Sequence, residues 1–264
     1  MACLIEEFTA FAEQLADVAR AETLNRWRQG CAADDKGSQS GFDPVTEADR
    51  EAERAMRAAI EARYPDHGIQ GEEWPDRLAA GRYSWSLDPV DGTRSFICRL
   101  PNWVTLIALL DEGRPVLGVI DVPCLDQRYI GWSGGALVRS GDGETGLATS
   151  GCTAIEEARL STTDPFLLSE PGRAAFDALR LRARTTRYGH DGYGYAILAA
   201  GGIDLIIEAG LKPHDYNALI PVVRAAGGAI GDWSGGEDYS GGKIIAAATS
   251  ELYAEAVEAM GGAA

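Results

Sequence analysis

Residues 85–93 read Trp-Ser-Leu-Asp-Pro-Val-Asp-Gly-Thr, and they predict a strand that ends in a group of oxygen ligands. From Tyr83 to Leu87, large apolar side chains alternate with smaller or polar ones, which is typical of a half-buried strand. The proline and the glycine that follow end the ladder of strand hydrogen bonds. Asp88 and Asp91 are then left at the carboxyl end of the strand, where open α/β sheets commonly bind ligands.

The ligand groups in this stretch fit a hard divalent cation. Mg²⁺ binds carboxylates, backbone carbonyls and water, and the side chains of Asp88 and Asp91 with the Val90 carbonyl supply the first two kinds. If Gly92 and Thr93 open a helix, their free N–H groups would bind an anion, which predicts a phosphate. Alone, the same residues fit an ordinary surface turn equally well, since Asp, Pro and Gly are common turn residues.

Two further acidic motifs favour the metal site over the turn. Gly71-Glu72-Glu73 follows the point where Tyr64-Pro65-Asp66 ends a helical pattern. Lys212-Pro213-His214-Asp215 lies far downstream and also has the composition of a loop at the end of an element. The chain therefore carries three acidic segments at predicted element ends.

These three segments together resemble the signature of the inositol monophosphatase superfamily of Mg²⁺-dependent, lithium-sensitive phosphatases. The resemblance is carried by Glu72 in Gly-Glu-Glu, by Asp-Pro-Val-Asp-Gly-Thr at 88–93, and by Asp215 before an alanine-rich helix that ends in Gly227-Gly228. Their order and spacing match along nearly the whole chain. The signal is specific because three separate motifs have to coincide.

Finer features resemble the histidinol-phosphate phosphatase branch of that superfamily. Inositol phosphatases usually carry Thr-Asn-Phe in the second motif and Trp-Asp in the third, where this chain has residues 93–96, Thr-Arg-Ser-Phe, and residues 214–216, His-Asp-Tyr. Residues 160–163 and 187–228 are similar to the branch almost throughout. His190-Asp191-Gly192 departs from it, which leaves the details of substrate recognition open.

The resemblance implies an α/β fold with layers in the order α-β-α-β-α. It implies an N-terminal α+β lobe at residues 1–148, with the first two metal motifs, and a C-terminal α/β lobe at residues 149–264, with Asp215 and the substrate-specificity residues. It also implies a homodimer. Periodicity and turn residues predict helices at 4–29 and 47–63 and a hairpin at Glu112-Gly113. They also predict strands at Arg128–Trp132, Ala136–Arg139, Ile203–Glu208, Ala229–Asp232 and Ile244–Ala247.

The resemblance also assigns the metal ligands. Glu72, Asp88 and the Val90 carbonyl would hold one Mg²⁺ ion, and Asp88, Asp91 and Asp215 would hold a second. Two or three ions are expected in each site, and Mn²⁺ can substitute. Asp215 also fits a helix cap without a metal, and the three histidines are too scattered in sequence to predict a ligand group.

Catalytic and substrate-binding roles follow from the same resemblance. Glu72, aided by Thr93, would activate a water, and Asp49 would hydrogen-bond Thr93 or a water in the site. Asp49 also fits a helix cap, because Thr46-Glu47-Ala48-Asp49 has the pattern of a capping box. The expected contacts to the phosphate ester are Asp91, Gly92, Thr93, Arg94, Asp191 and Glu208.

Three of these interpretations have structural alternatives. Arg94 fits an ion pair with a neighbouring acid as well as a phosphate contact. Asp191 fits a pair with Arg187, and Glu208 fits the end of a strand. Tyr188, Tyr193 and Tyr195 are expected in the core more than at the substrate.

The formal net charge of −16 limits the classes of partner. A nucleic-acid-binding protein needs a basic surface, so we expect no nucleic-acid partner. No stretch approaches the roughly 18 consecutive apolar residues of a membrane helix, and the N-terminus has helical spacing among acids in place of a signal peptide. We therefore expect a cytoplasmic protein without a membrane partner. Its ligand is expected to be a small phosphate ester, and the acidic field suits an ester that also carries cationic groups.

The cysteines argue against a disulfide framework and against a zinc site, since their number is odd and no CxxC spacing occurs. We expect reduced and mostly buried thiols at Cys3, Cys31, Cys98, Cys124 and Cys152. The polar segment 33–41 is expected to be a mobile loop that could fold over the site.

Three functions fit the sequence: a histidinol-phosphate phosphatase, a phosphatase for inositol phosphate or another sugar phosphate, and a non-catalytic acidic scaffold that uses metals structurally. The complete set of predicted ligands argues against the scaffold.

Overall fold

Two β-sheets alternate with three sets of helices. The computed structural model describes residues 2–30, 32–35 and 44–261. The helices are α1 (Ala2–Gln29), α2 (Glu47–Arg63), α3 (Thr93–Ile97), α4 (Glu170–Arg182), α5 (Asp191–Ala199), α6 (Pro213–Tyr216), α7 (Leu219–Ala225) and α8 (Ser250–Met260). The strands of the N-terminal part are β1 (Ala33–Asp35), β2 (Pro44–Thr46), β3 (Gly68–Gly71), β4 (Tyr83–Asp91), β5 (Val104–Asp111), β6 (Arg114–Val122), β7 (Gln127–Trp132), β8 (Gly135–Ser140) and β9 (Gly143–Gly146). Those of the C-terminal part are β10 (Arg159–Thr162), β11 (Thr185–Tyr188), β12 (Leu205–Glu208), β13 (Ala229–Asp232) and β14 (Ile244–Ala247).

The larger sheet has seven strands in sequential order from β3 to β9. Its strands are antiparallel except for the parallel pair β3 and β4. The smaller sheet has five strands in the order β11-β10-β12-β14-β13, of which the first three are parallel. β1 and β2 form a separate antiparallel pair.

Alternating side chains of the larger sheet feed two apolar cores. On β5, Ile107 and Leu109 pack against α1 and α2, whereas Leu106 and Ala108 pack toward α5 and α7. A third core lies beyond the smaller sheet, which α4 and α8 cover on its outer side. The layers are therefore α-β-α-β-α, as the family resemblance implies. The division into lobes at residue 148 stays a prediction.

Most predicted helices and strands are present, but the predicted burial of two kinds of side chain has to be corrected. Cys98 is exposed, and Cys124 and Cys152 are free and half-buried, so the expectation of buried thiols is wrong for the cysteines whose side chains the structure describes. Cys98 lies in the exposed turn that ends α3. Tyr188 is 44% exposed at the edge strand β11 and is not a core residue, in contrast to Tyr195.

The predicted loop 33–41 is only partly described. Its first three residues form β1. The remainder, from residue 36, lies outside the described residues, so the predicted closure over the site stays a prediction. In the described parts of the chain, no helix combines the length and the apolar run that crossing a bilayer requires.

Glycines in the larger sheet let α7 approach its backbone closely. A Cβ atom at Gly131 would lie 2.4 Å from the Cα atom of Val222 on α7, and one at Gly118 would lie 2.0 Å from the carbonyl oxygen of Ala218. No side chain fits in either gap, because both neighbours are backbone atoms. This close contact matters for the site, since α7 continues directly from the segment that carries Asp215.

We expect Gly131→Ala to destabilise the protein by about 1–3 kcal/mol, because the added methyl group overpacks the contact with α7. Urea unfolding measures the loss. The control is Gly146→Ala on β9, where the new Cβ atom would meet no atom within 4 Å. Equal stability of the two variants would contradict the close-packing account.

Candidate metal and phosphate site

Acidic side chains from three segments converge at the carboxyl end of β4. Ligand atoms of Asp88, Asp91 and Asp215 all lie within 4.8 Å of one another. A second group has the same spacing and consists of Glu72, Asp88 and His214. Asp88 belongs to both groups and is 1% exposed, so it occupies the centre of the cluster.

A β-bulge places the two aspartates of β4 on the same side. Asp88 pairs with Leu106 and Asp91 pairs with Val104, so the chain advances three residues on β4 for two on β5. Residues three apart in a regular strand point to opposite faces, and the extra residue of a bulge reverses this. Both carboxylates therefore face the middle helical layer.

The turn after β4 has the conformation that the sequence predicts. Gly92 has a φ of 83°, in the left-handed region that glycine adopts without strain, and α3 follows directly. The Val90 N–H donates to Asp88 Oδ1 over 3.1 Å, which fixes that carboxylate. The Thr93 hydroxyl lies 3.0 Å from the Val90 carbonyl oxygen and 3.5 Å from Asp49 Oδ1.

Asp49 caps α2 and also faces Thr93, so the two arrangements that the sequence left open are compatible. Its carboxylate accepts the N–H of Thr46 over 2.9 Å, in a capping box at the start of α2. Its other oxygen faces Thr93. Burial raises the pKa of Asp49 to about 6, the hydrogen bonds from Thr46 oppose this, and the nearby Glu72 carboxylate adds to it.

Glu53 on α2 holds the loop that carries Glu72. Glu53 is fully buried, and its carboxylate accepts the N–H groups of Glu73 and Trp74 over 2.7 and 3.3 Å. Arg57 pairs with it over 2.7 Å. The role of Glu53 could not be predicted from the sequence, since its partners lie in another segment and no local motif marks it.

The third motif is docked against β4. Asn217 donates its amide to the Ser86 hydroxyl over 3.1 Å, and both side chains are buried. Asp215 accepts the N–H of Lys212 over 2.6 Å, as a residue in the first turn of a helix does. The capping and ligand interpretations of Asp215 are therefore compatible, because the same carboxylate also lies within the cluster.

Burial and mutual repulsion disfavour ionisation of the cluster. Burial raises the pKa of Asp88 well above the ordinary range, and the carboxylates of Glu72 and Asp91 raise it further. Burial likewise raises the pKa of Asp91, together with the carboxylates of Asp191 and Asp215. Bound cations would relieve both effects. The donor set of carboxylates beside a backbone carbonyl fits Mg²⁺ or Mn²⁺.

A cavity of about 390 Å³ opens from the cluster to the surface. Most of the predicted site residues line it, whereas Asp49, Asp88 and Val90 are not part of its lining. The predicted residues in the lining are Glu72, Asp91, Gly92, Thr93, Arg94, Asp191, Glu208 and Asp215. Tyr195 also contributes to the lining, and it is buried as well, so it has both of the positions that the sequence left open.

Two carboxyl groups flank the cavity beyond the cluster. Glu208 accepts the N–H and the hydroxyl of Thr163 over 2.7 and 2.9 Å, and burial raises its pKa to about 8. Burial raises the pKa of Asp191 to about 6, while Ser95 at 3.5 Å and the positive charge of Arg94 oppose the shift. In the structure Ser95 and Arg94 are the neighbours that lower the pKa of the Asp191 carboxyl group. Arg187, which the sequence offered as an ion-pair partner, does not act on it.

The layered fold and the buried carboxylates beside a cavity define a protein with a candidate divalent-metal centre. The family model of the inositol monophosphatase family matches residues 4–261. The bifunctional phosphatase IMPL2 of Arabidopsis thaliana is 39% identical over 97% of this chain and 75% of its own length. A histidinol-phosphatase of Chlorobaculum parvum is 33% identical over 83% of each chain. An inositol monophosphatase from Zymomonas mobilis superposes with a TM-score of 0.84, at 39% identity over 97% of this chain and 98% of that one.

The chain therefore belongs to the inositol monophosphatase family, whose members are metal-dependent phosphatases.

We expect Asp88→Asn to stabilise the metal-free protein by at least about 1 kcal/mol at neutral pH, because it removes a charge from a buried cluster. A raised pKa means that the folded state holds the proton more tightly. The stability of the metal-free wild type should therefore fall as the pH rises from the ordinary aspartate pKa of 3.8 to the raised pKa of Asp88 in the folded protein. Asp88→Asn should make stability less dependent on pH in this range.

Urea unfolding in chelator, repeated across pH, tests this prediction. Asp142→Asn, in the exposed turn between β8 and β9, serves as the control. A metal-free Asp88→Asn protein that is less stable than the wild type would show that the cluster is not under electrostatic strain.

Proposed function

We propose that this protein is a phosphomonoesterase that hydrolyses histidinol phosphate to histidinol and phosphate, with Mg²⁺ at the carboxylate cluster. The observation that carries the choice of substrate is the pair of carboxyl groups, Glu208 and Asp191, on the cavity beside the cluster. Histidinol phosphate has an ammonium group and an imidazole next to its phosphate, and carboxylates make charge-assisted hydrogen bonds to such groups.

The Glu208 carboxylate can accept one more hydrogen bond. A carboxylate offers about four lone-pair sites. Thr163 occupies two on Oε1, and the Thr162 hydroxyl lies 3.4 Å from Oε2. The remaining site can accept a substrate N–H. A cationic substrate would also favour the ionised form of Glu208, which burial disfavours in the free protein.

Residues of the cluster are proposed to arrange the reacting groups. Bound divalent ions would supply a water of lowered pKa and neutralise the charge on the phosphate and the leaving oxygen. Glu72, Asp88, Asp91, Asp215 and the Val90 carbonyl would hold these ions. Glu72 and Thr93 would orient the water, and Asp49 would keep the Thr93 hydroxyl in place.

The phosphate would bind at the turn after β4. The N–H groups of Gly92 and Thr93 lie at the start of α3, and Arg94 lines the cavity next to them. Asp91 is held by the N–H of Gly192 over 2.5 Å, so the C-terminal segment that carries Asp191 is tied directly to the metal motif. The phosphate and the rest of the substrate would therefore be positioned by connected groups.

The second candidate function is hydrolysis of inositol phosphate or another sugar phosphate. It is favoured by the close structural likeness to an inositol monophosphatase. The two candidates require the same cluster and differ in the outer half of the cavity. Phosphate release from histidinol phosphate and from inositol 1-phosphate, each with Mg²⁺, discriminates between them. A higher kcat/KM for inositol 1-phosphate would reject the histidinol proposal.

We expect Glu208→Gln to raise the KM for histidinol phosphate several-fold, because the variant loses roughly 1 kcal/mol of charge-assisted hydrogen bonding to the substrate. The KM for an uncharged sugar phosphate should change little. Steady-state kinetics on both substrates measure this difference. Glu258→Gln, on the exposed side of α8, is the control for removal of a carboxylate elsewhere. Equal losses on the two substrates would favour the broad sugar-phosphatase function.

We expect Thr93→Ala to lower kcat at least about tenfold with little change in KM, because the hydroxyl is assigned to orienting the water and not to holding the ester. Thr93→Ser keeps the hydroxyl and should retain most of the activity. If KM rises while kcat is unchanged, Thr93 binds substrate instead.

A further inference from the structure

His214 lies against the metal cluster, although the sequence did not predict it as a ligand. Its side chain is 12% exposed and lines the cavity. One of its ring nitrogens lies within 4.8 Å of carboxylate oxygens of Glu72 and Asp88. Its Nε2 atom is 3.5 Å from Asp215 Oδ1. The imidazole is therefore surrounded by three of the proposed ligands.

The position of this imidazole is determined by the fold. Pro213 begins α6, and the side chain of Asn217 anchors the end of that short helix to β4 through Ser86. His214 and Asp215 are consecutive residues of this anchored turn. In this arrangement the Asp215 carboxylate lies in the cluster and the His214 ring lies at its edge.

The other two histidines have different surroundings. His67 accepts the indole N–H of Trp85 over 3.1 Å at Nδ1, and it stacks on Tyr64 with ring centroids 4.5 Å apart. His190 Nδ1 lies 3.0 Å from the Ser161 hydroxyl. Within the described residues, neither belongs to a group with metal-ligand spacing. His214 therefore differs from the other two histidines by its position beside the carboxylate cluster.

The two overlapping ligand groups differ in chemistry. Asp88, Asp91 and Asp215 supply only oxygen, which suits Mg²⁺. Glu72, Asp88 and His214 supply two oxygens and one nitrogen. Imidazole is a good ligand for Co²⁺ and Zn²⁺ and a poor one for the hard Mg²⁺ ion, and Mn²⁺ lies between them because it accepts both oxygen and nitrogen ligands.

We propose that His214 is a nitrogen ligand of the ion held by Glu72 and Asp88, and that this position selects a divalent transition metal over Mg²⁺. The inference rests on the proposed metal-dependent phosphatase site. It adds to that site a position for a transition metal beside the position for Mg²⁺. The neighbouring position of Asp88, Asp91 and Asp215 would keep Mg²⁺. The enzyme would then hold two unlike ions.

The first test is electron spin-echo spectroscopy of Mn²⁺ bound to the full-length protein, which detects a ¹⁴N nucleus bonded to the metal without reference to activity. The wild type is expected to show ¹⁴N modulation, and His214→Phe is expected to lose it. His190→Gln, which removes a histidine outside the cluster, should leave it unchanged. Bound Mn²⁺ without ¹⁴N modulation in the wild type, or modulation retained in His214→Phe, overturns the inference and leaves the phosphatase proposal intact.

The second test compares affinities by calorimetry on chelator-treated protein. His214→Phe should raise the Kd for Mn²⁺ at least about tenfold. The Kd for Mg²⁺ should change by less than about threefold, because Mg²⁺ gains little from an imidazole. His214→Gln, which is polar and smaller, provides a second variant should the phenylalanine disturb folding, as judged by circular dichroism. Equal changes for both ions overturn the inference, and a wild type that binds neither ion overturns the proposed function as well.

Discussion

Repulsion among buried carboxylates is the constraint on which the rest of this structure depends. Asp88, Asp91, Glu72 and Asp215 come from distant parts of the chain and meet in one pocket. Two unit charges 4 Å apart repel by about 4 kcal/mol at the effective dielectric near a protein surface. A few such pairs are comparable with the whole net stability of a domain, about 5–15 kcal/mol. The surrounding structure has to hold these side chains together until cations neutralise them.

Three contacts supply this restraint. The buried Glu53 holds the loop of Glu72 from α2, while Asn217 ties α6 to Ser86 on β4. The close approach of α7 to Gly131 fixes the helix that follows Asp215. The site is consequently built where the larger sheet meets the middle helices, and its geometry depends on how α2, α6 and α7 are held.

Local features of the site could be predicted from the sequence, since a few adjacent residues encode them. The strand that begins at Tyr83, the turn at Gly92 and the capping box around Asp49 are of this kind, although β4 continues through Pro89 to Asp91 where the sequence predicted that the proline would help to end it. The convergence of the distant motifs and the order of the layers came from the family resemblance, because periodicity gives no order in space. Three features were missed because tertiary contacts create them: the bulge in β4, the clamp by Glu53 and the position of His214. The adjacency of His214 to Asp215 was the one signal that pointed to it.

The metal centre itself is tested most directly by anomalous diffraction from crystals soaked in Mn²⁺, recorded at the manganese absorption edge. Peaks are expected beside Asp88, one toward Asp91 and Asp215 and one toward Glu72 and His214, because the ligand atoms of each group lie within 4.8 Å of one another. Saturating Mn²⁺ that leaves no anomalous peak beside Asp88 would contradict a metal centre at the end of β4.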